Sequence, residues 1–470
     1  MKNSILIILF FAHFNSHSQI VFEKYYGTIG GNNVGFYVQQ VSNGYIISGS
    51  KENDGVIIRT NEFGDSLWQQ NYSNGSAECL RPSGNGGFVL AGTDYNSPYN
   101  AVIRQVDSSG SVVWDTITSS SPFTRYGIAA MQMPDGDYAL LENDAYPFLE
   151  YLRIRKISAA NRSTIWTKEI SIVANCSSSS FQLTYDSAIV VANGTFDTPY
   201  PRLILSKTLS NGTLNWKKDY SFPGDTGIAG NSVAQTADSG FIVIGYKVFG
   251  NPQSQSRLFL MKTKANGDSL WTKVYNLKNS NAFPDVIQTS DGGYALIGTV
   301  VYPPNGGDFD YRIIMMKTDS NGDSLWTKEF IGYGLSEAKK IIQTSDGGFA
   351  IIGTSTDQNI NQNYIYLIKT DSIGRIIVPT MISSEPGEID FIIYPNPTSK
   401  LATLQFFGEG LTTIRIRNMN GKLIKIILNE SLNPGIHELP VDCNGMAKGC
   451  YTIEITDRIN LRHKKLFFIF

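Results

Sequence analysis

Short apolar runs separated by tight polar turns make up most of the chain. A typical unit contains a stretch such as AKKIIQT, the turn SDGG and the run FAIIGT. After a variable loop come a run such as YRIIMMKTD, the turn SNGD and the closing run SLWTKEF. Runs rich in Ile, Val, Phe and Tyr that are joined by Asp-Gly or Asn-Gly predict antiparallel strands in hairpins. Each unit therefore predicts a sheet of four strands.

The unit repeats with a period near 50 residues, and tryptophan marks the closing run. The six tryptophans lie 46 to 55 residues apart, at Trp68, Trp114, Trp166, Trp216, Trp271 and Trp326. The second strand is predicted to start at seven positions, Gly44, Gly87, Gly136, Ser187, Gly240, Gly293 and Gly348. Four strands in about 50 residues is the period of a propeller blade. We predict an all-β chain with a seven-bladed β-propeller over residues 19–382.

The seventh unit has no tryptophan, and two segments compete for its outer strand. Phe22 stands 22 residues before the next predicted second strand, the same separation as after Trp271 and Trp326. The segment Val21–Gly27, VFEKYYG, is therefore interpreted as a degenerate closing run from the opposite terminus. A second copy, GRIIVPTM, begins at Gly374 and occupies the same place in the last unit. The sequence leaves both options open.

The turn before each tryptophan resembles a known motif. Asp319, Asn321 and Gly322 precede Trp326 as in the tryptophan-docking motif of quinoprotein-type propellers, and a glycine stands four residues before five of the six tryptophans. The resemblance implies that each tryptophan wedges between neighbouring blades. Burial of such a side chain contributes roughly 1.5–3 kcal/mol or more. Phe22 and the six tryptophans are therefore predicted to be structural.

Neither a cofactor nor a metal is predicted. The enzymes that share the docking motif have eight blades and a cofactor site whose residues are not found here. The acidic turn DSNGDS also fails as a calcium hand, because its twelfth position, which needs a bidentate acid, is Phe330. Residues 19–436 contain no histidine, which excludes histidine bases and imidazole metal sites from the predicted propeller.

Two polar residue types recur in the blades. Glutamine recurs on the innermost strand, at Gln39, Gln132, Gln182, Gln235, Gln288 and Gln343. A basic residue recurs on the third strand, at Arg59, Lys156, Lys207, Lys262, Lys317 and Lys369. A polar ligand channel is one interpretation. Hydrogen bonding between strands is favoured, because a residue present in most blades is expected to hold the blades together.

Ligand binding is expected where the blades differ, on the face that carries the second-to-third loops and the connections between blades. Loops on a rigid scaffold commonly bind ligands, and exposed tyrosine rings suit sugars or peptides. The predicted ligand-binding residues are Tyr95, Tyr99, Tyr146, Phe148, Tyr200, Tyr302, Phe309 and Tyr311. These residues favour a binding or adhesion module with an unknown glycan or protein ligand.

The alternative function is a carbohydrate-active hydrolase or lyase. Such an enzyme would use paired carboxylates, and the variable loops offer Glu142, Asp144, Glu150, Asp308 and Asp310. No spacing singles out a pair, so no catalytic residue is assigned. The formal net charge of −2 and the absence of a basic cluster predict no nucleic-acid partner.

The first 18 residues have the pattern of a secretory signal peptide. Lys2 supplies the positive end, Ile5–Ala12 the apolar stretch, and Ser16 and Ser18 the small residues before the cleavage point. No later segment is long and apolar enough for a transmembrane helix. We therefore predict export, with no membrane span in the mature chain.

The sequence changes character after the predicted linker at residues 383–388. Alternating strands predict a small β-sandwich over residues 389–470. These residues closely resemble the C-terminal sorting domain of the bacterial type IX secretion system. The matching positions are Tyr394, Pro395, Asn396 and Pro397, then Gly421 and Lys422, then Gly449 and Tyr451. The resemblance implies that the secretion machinery is a partner and that the protein is secreted or held at the cell surface.

Four cysteines are sparse for an exported protein, so disulfides are not its framework. Cys443 and Cys450 lie seven residues apart in the C-terminal region. They are the candidate pair for a local disulfide.

Overall fold

The computed structural model describes residues 19–27, 31–96, 99–118, 124–145, 150–172, 180–195, 202–221, 225–249, 255–277, 285–302, 310–358, 360–376, 391–394, 398, 400–418, 421–456 and 462–469. The chain forms two compact units, Met1–Ile376 and Ile377–Phe470. The predicted signal peptide and the predicted linker lie outside the described residues.

The described residues of the first unit contain 28 strands. In chain order they are β1 Phe22–Tyr26, β2 Asn33–Val41, β3 Gly44–Lys51, β4 Asp54–Thr60, β5 Ser66–Tyr72, β6 Cys79–Pro82, β7 Phe88–Asp94, β8 Asn100–Val106, β9 Val112–Thr118, β10 Thr124–Gln132, β11 Tyr138–Ala145, β12 Glu150–Ile157, β13 Thr164–Ile172, β14 Phe181–Leu183, β15 Ile189–Thr195, β16 Arg202–Thr208, β17 Leu214–Tyr220, β18 Asp225–Gln235, β19 Phe241–Phe249, β20 Gln255–Thr263, β21 Ser269–Val274, β22 Asp285–Gln288, β23 Tyr294–Tyr302, β24 Asp310–Thr318, β25 Ser324–Phe330, β26 Leu335–Gln343, β27 Phe349–Asp357 and β28 Gln362–Thr370.

These strands form seven four-stranded antiparallel sheets, which confirms the predicted seven blades. Blades 1 to 6 are β2–β5, β6–β9, β10–β13, β14–β17, β18–β21 and β22–β25, and blade 7 is β26–β28 with β1. In blade 1, β3 is buried along almost its whole length, whereas in β5 only Tyr72 is buried. The middle strands read as continuous apolar runs because both faces of each sheet pack against neighbouring blades.

Each docking aromatic lies against a turn of the next blade. A Cβ atom on Gly322 would lie 2.8 Å from the Trp271 ring, so only glycine fits here, and its φ of +78° also favours glycine. Trp271 also packs edge-to-face on Tyr294 of the same blade as Gly322, at a ring-centroid distance of 6.1 Å. The same glycine contact joins Trp68 to Gly110, Trp166 to Gly212, Trp216 to Gly267 and Trp326 to Gly374. The indoles therefore lie between blades.

Blade 3 departs from this pattern because Arg162 occupies the glycine position. Its backbone keeps the left-handed conformation, with φ of +64°. Its guanidinium carbon lies 4.3 Å from the ring centroid of Trp114. A cation–π contact thus replaces the indole–glycine contact at this boundary.

A tyrosine four residues after the docking aromatic adds a bond that sequence analysis missed. The Tyr275 hydroxyl donates to the Gly322 carbonyl at 2.8 Å, and Lys273 pairs with Asp323 at 2.7 Å beside it. The same hydroxyl bond joins Tyr26 to Gly64, Tyr72 to Gly110 and Tyr220 to Gly267. The recurring spacing of aromatic and tyrosine was the available signal.

The recurring glutamines hydrogen-bond adjacent blades to each other. Gln288 Oε1 accepts from the Ala237 amide at 2.8 Å, and Gln343 Oε1 accepts from the Ser290 amide at 2.9 Å. One predicted member differs in its partner. In blade 1 the bond to the preceding turn is made by Gln40, not Gln39, and accepts from the Ser345 amide at 2.8 Å. In blade 4, Gln182 Oε1 accepts from the Gln235 amide of blade 5 at 2.8 Å, so this predicted member also joins adjacent blades.

The recurring lysines bond within their own blade. Lys317 Nζ pairs with Asp291 at 2.9 Å and donates to the Thr318 carbonyl at 2.9 Å. Equivalent pairs join Lys156 to Asp135, Lys207 to Asp186, Lys262 to Asp238 and Lys369 to Asp346. Each pair ties the third strand to the first hairpin turn, which supports the structural interpretation over a polar ligand channel.

The N-terminal strand occupies the outer position of blade 7. β1 pairs with β28 in antiparallel register, with Tyr25 opposite Tyr366. The two rings stack at a centroid distance of 4.7 Å. Phe22 contacts the turn at Gly64 as the tryptophans contact theirs. Gly374, the start of the competing segment, instead lies in the turn that receives Trp326.

The second unit is one five-stranded sheet. Its strands are β29 Phe391–Tyr394, β30 Leu401–Asn418, β31 Leu423–Asp442, β32 Gly449–Thr456 and β33 Arg462–Ile469. The order is β29-β30-β32-β33, and β31 pairs with β30. Leu404 and Ile416, near opposite ends of β30, share one core, so the sheet folds over that core. The small all-β C-terminal unit that the sequence predicts is therefore confirmed, as one sheet that folds over its own core.

The described sorting-motif residues have structural roles in this unit. Gly421, with φ of +78°, and Lys422 form the turn from β30 to β31, where the Lys422 amide donates to Asn418 Oδ1 at 2.9 Å. Tyr451 is buried, and its hydroxyl donates to the Ala447 carbonyl at 2.7 Å. Tyr394 ends β29, Gly449 begins β32, and Pro395, Asn396 and Pro397 lie outside the described residues.

The candidate disulfide is not formed, because Cys443 and Cys450 are free thiols. Cys443 is buried in the same core as Tyr451. Successive residues of a strand point to opposite faces, so Cys450 points away from the core that contains Cys443. The two sulfur atoms therefore lie on different sides of the sheet.

We predict that Trp271→Ala lowers the free energy of unfolding by about 3 kcal/mol, because removal of the indole leaves a cavity against Gly322 of the next blade. Leu270→Ala is the matched control. Leu270 is the neighbouring residue and is 49% exposed, so its truncation should change the free energy of unfolding by less than about 0.5 kcal/mol. Urea denaturation of both variants measures the difference. Similar midpoints for the two variants would contradict the docking role.

Candidate functional site

The structure brings two of the predicted ligand-binding residues together with a third tyrosine. The ring centroids of Tyr95 and Tyr99 are 5.4 Å apart, and those of Tyr99 and Tyr126 are 6.2 Å apart. Tyr99 is 39% exposed and Tyr126 is 38% exposed. We call these three residues the tyrosine platform. It lies on the face that carries the variable loops, where blade 2 meets blade 3.

The backbone holds the platform in place. The Arg125 amide donates to the Tyr99 carbonyl at 2.8 Å, which joins the second-to-third loop of blade 2 to the inner strand of blade 3. Sequence analysis missed Tyr126 because it lies on an inner strand, not in a variable loop. Its proximity to Tyr99 depends on contact between the two blades.

A polar groove of about 140 Å³ adjoins the platform. Its lining includes Asn74, Asp94, Asn96, Arg104 and Asp115. Tyr95 lies between two of these residues in sequence, and its amide donates to the Asn74 carbonyl at 3.0 Å. The groove therefore offers hydrogen-bond donors and acceptors, and Tyr95 links it to the platform.

The groove side chains are held in position by one another. Asn74 Nδ2 donates to Asn96 Oδ1 at 2.8 Å, and the Asn96 amide donates to Asp94 Oδ1 at 3.0 Å. The Arg104 guanidinium lies 4.6 Å from the ring centroid of Tyr72 and 3.4 Å from Asp115. Such preorganised polar groups lose little conformational entropy when a ligand binds.

The other predicted ligand-binding residues do not join this site. Tyr302 packs on Arg312 at 4.5 Å and donates to Glu329, while Tyr311 lies on the neighbouring strand of blade 6. Tyr146, Phe148, Tyr200 and Phe309 lie outside the described residues.

The carboxylates considered for catalysis are engaged by arginines. Glu142 accepts from Arg155 at 2.6 Å and from the Thr118 hydroxyl at 2.9 Å. Asp144 accepts from two arginines, Arg125 and Arg153, and Asp310 pairs with Arg312 at 2.6 Å. Asp308 and the side chain of Glu150 lie outside the described residues. The described carboxylates act as ion-pair partners.

Metal-binding side chains do not converge in the part of the chain that the structure describes, where no group of three His, Cys, Asp or Glu residues forms a site. Among the same residues, no helix has the length and apolar character needed to cross a membrane.

Glu78 connects the platform to the inner strand of blade 7. The Tyr95 hydroxyl and the Glu78 carboxyl are both hydrogen-bonded to Ser76. Burial raises the pKa of Glu78 from its ordinary 4.5 to about 7, and Ser76 and the positive charge of Lys339 oppose this shift. Glu78 therefore changes charge near neutral pH.

Comparison with protein families decides the nature of the C-terminal unit. Residues 392–469 match the model of the secretion system C-terminal sorting domain. The chain carries a type IX sorting domain. This domain implies engagement of the type IX machinery and secretion to the cell surface or outside. No curated protein sequence matches the chain.

Several solved structures are similar to this chain in fold, at low sequence identity. A fungal alcohol oxidase of the AA5 family has a TM-score of 0.45 and 11% identity, covering 95% of this chain and 98% of its own. The WD40 domain of Toxoplasma gondii coronin has a TM-score of 0.45 and 9% identity, covering 76% and 87%. The polysaccharide lyase Uly1 has a TM-score of 0.45 and 10% identity, covering 74% and 91%. These similarities carry no information on a ligand or reaction of this protein.

We predict that Glu78 makes stability pH-dependent. The folded chain binds the proton of the Glu78 carboxyl more tightly than the unfolded chain does. The contribution of protonated Glu78 to stability is therefore fully present below about pH 4.5 and is lost as the pH rises through about 7. Between pH 5 and pH 8, the free energy of unfolding of wild type should fall by about 2 kcal/mol relative to that of Glu78→Gln. Urea denaturation at both pH values measures this change.

Glu337→Gln is the matched control, because this neighbouring carboxylate is 39% exposed. A pH-dependent difference from wild type as large as that of Glu78→Gln would show that the effect is not specific to Glu78. An equal pH dependence in wild type and Glu78→Gln would contradict the assignment.

Proposed function

We propose that this protein is a carbohydrate-binding module that is exported by the type IX system and acts at the cell surface. A signal peptide at residues 1–18 takes it across the inner membrane, and the sorting domain takes it across the outer membrane. The propeller then presents the tyrosine platform and the polar groove to glycans outside the cell.

The observation that carries the proposal is a platform with two exposed tyrosine rings, which Tyr95 links to a groove of preorganised polar side chains. Tyrosine faces pack against the C–H groups of a sugar ring, while amides and carboxylates match its hydroxyls. The groove contains both kinds of group, in Asn74, Asn96 and Asp94. A glycan is favoured over an apolar peptide because the groove is polar and adjoins the platform.

We predict that Tyr99→Ala and Tyr126→Ala each weaken glycan binding about tenfold, since the loss of one stacking contact costs about 1–1.5 kcal/mol. A glycan array identifies the ligand, and titration calorimetry measures the dissociation constants. Tyr185→Ala is the matched control, because this tyrosine is 71% exposed and lies in a first hairpin turn of blade 4.

Wild-type affinity in both platform variants, or equal loss in the Tyr185 variant, would refute the platform as the binding site. Release of new reducing ends from the bound glycan would show turnover and replace the binding proposal with an enzymatic one.

We predict that removal of residues 389–470 traps the protein in the periplasm. All seven blades stay complete, because β28 ends at Thr370, and the signal remains. The tail fused to a signal-bearing reporter should conversely deliver the reporter to the surface or the medium. Cell fractionation and protease accessibility measure both outcomes. Surface delivery without the tail would refute the sorting route.

A further inference from the structure

One strand of the C-terminal unit leaves an edge of its sheet open. Along one side β31 pairs with β30, from Leu401 opposite Asp442 to Arg417 opposite Leu423. Among the described strands, none pairs with the second side of β31. The backbone N–H and C=O groups on that side therefore have no partner strand in the described part of the unit. Such an edge is a template for pairing with another chain.

The open edge begins with exposed aliphatic residues. Leu423 is 41% exposed, Ile424 is 42% exposed and Ile426 is 51% exposed. The segment LIKIIL is rich in isoleucine, which favours strands, and only Lys425 interrupts it with a charge. Proteins usually protect an edge of this kind, because it pairs readily with other strands. An exposed aliphatic edge is therefore expected to serve as an interaction surface.

Two of these side chains lie on the outer face of the sheet. Leu423 lies opposite Arg417 of β30, and Ile426 lies opposite Arg415. The two arginines alternate along β30 with Ile416, which is buried in the core of the unit. Directly opposite residues share a face of the sheet, so Leu423 and Ile426 lie on the face away from that core. Their side chains can therefore be changed without opening the core.

A tight turn fixes the start of the edge. The Asn418 amide donates to the Lys422 carbonyl at 3.0 Å, and the Gly421 amide donates to the Asn418 carbonyl at 2.9 Å. The whole of β31 lies within residues 392–469, which match the sorting domain. The open edge thus belongs to the unit that implies engagement of the type IX machinery.

We propose that a protein of the type IX machinery docks on this edge by adding a strand to β31. In this mode of recognition, main-chain hydrogen bonds supply affinity and alternate side chains supply specificity. The added strand carries aliphatic side chains, which pack against Leu423 and Ile426. The inference rests on the proposed export route, because that route supplies the partner.

Two matched double variants of the full chain test the docking strand. The threonine variant, Leu423→Thr with Ile426→Thr, places hydroxyls on the edge, whereas the valine variant, Leu423→Val with Ile426→Val, keeps it aliphatic. Both introduce β-branched residues, which suit a strand. In cells with an active type IX system, the threonine variant should reach the surface about fivefold less than wild type and accumulate in the periplasm. The valine variant should match wild type. Equal surface delivery of the two variants, whether high or low, would overturn the proposal.

Two controls separate a lost docking strand from a lost fold. Urea denaturation should give the same midpoint for wild type and the threonine variant, because both positions are exposed. If the double threonine variant unfolds, Ile426→Thr and Ile426→Val alone provide the same comparison. Leu411→Thr changes an exposed leucine elsewhere in the unit, 58% exposed on β30, and should be exported like wild type. An equal export defect in the Leu411 variant would refute the docking strand.

The export route and the docking strand fail in different ways. A reporter with the wild-type tail that stays in the periplasm would refute both. Surface delivery of the reporter by the wild-type tail and equally by the threonine tail would refute the docking strand alone. Sedimentation of the purified chain tests a second copy as the occupant. A wild-type dimer that the threonine variant loses would assign the edge to self-association and overturn the proposal.

Discussion

The contact between an outer-strand aromatic and a turn of the next blade is the interaction on which the ring depends. A four-stranded sheet with two apolar faces cannot bury both faces alone, so each blade needs a neighbour on either side. Trp271 fills the space above Gly322, and the tyrosine hydroxyl and lysine beside it bond to the same turn. The turn thus serves two blades, because it joins two strands of its own sheet and receives the aromatic of the preceding one.

Ring closure applies the same interaction to the two ends of the propeller. Phe22 is the docking aromatic of blade 7 and contacts Gly64 of blade 1, while Gly374 supplies the glycine that receives Trp326. The two segments that compete in sequence therefore have different roles. The stacked pair of Tyr25 and Tyr366 secures the pairing of β1 with β28. Closure also pairs the edge of β28, which would otherwise remain open to other chains.

Residues that recur in the blades hold the structure together, and the candidate site lies where the blades differ. Glutamines bond one blade to the next, and lysines bond to turns of their own blade. Blade 2 has Pro82 at the glutamine position. Blade 3 brings Tyr126 to the platform. Blade 7 has Lys340 where blade 6 has Asp285. The proposed glycan site lies at such a departure.

The sequence by itself determined the number of blades, the docking aromatics and the sorting domain. These features depend on local spacing: alternation within strands, Asn-Gly and Asp-Gly turns, and an aromatic at a fixed distance from a glycine. Only the tertiary structure decided which terminus closes the ring, because Phe22 and Gly374 both fit the repeat. It also decided that Glu142 and Asp144 are paired with arginines, that Cys443 and Cys450 lie on opposite faces, and that Tyr126 joins Tyr99. These contacts join separate strands or different faces, and a one-dimensional repeat does not specify which side chains meet there.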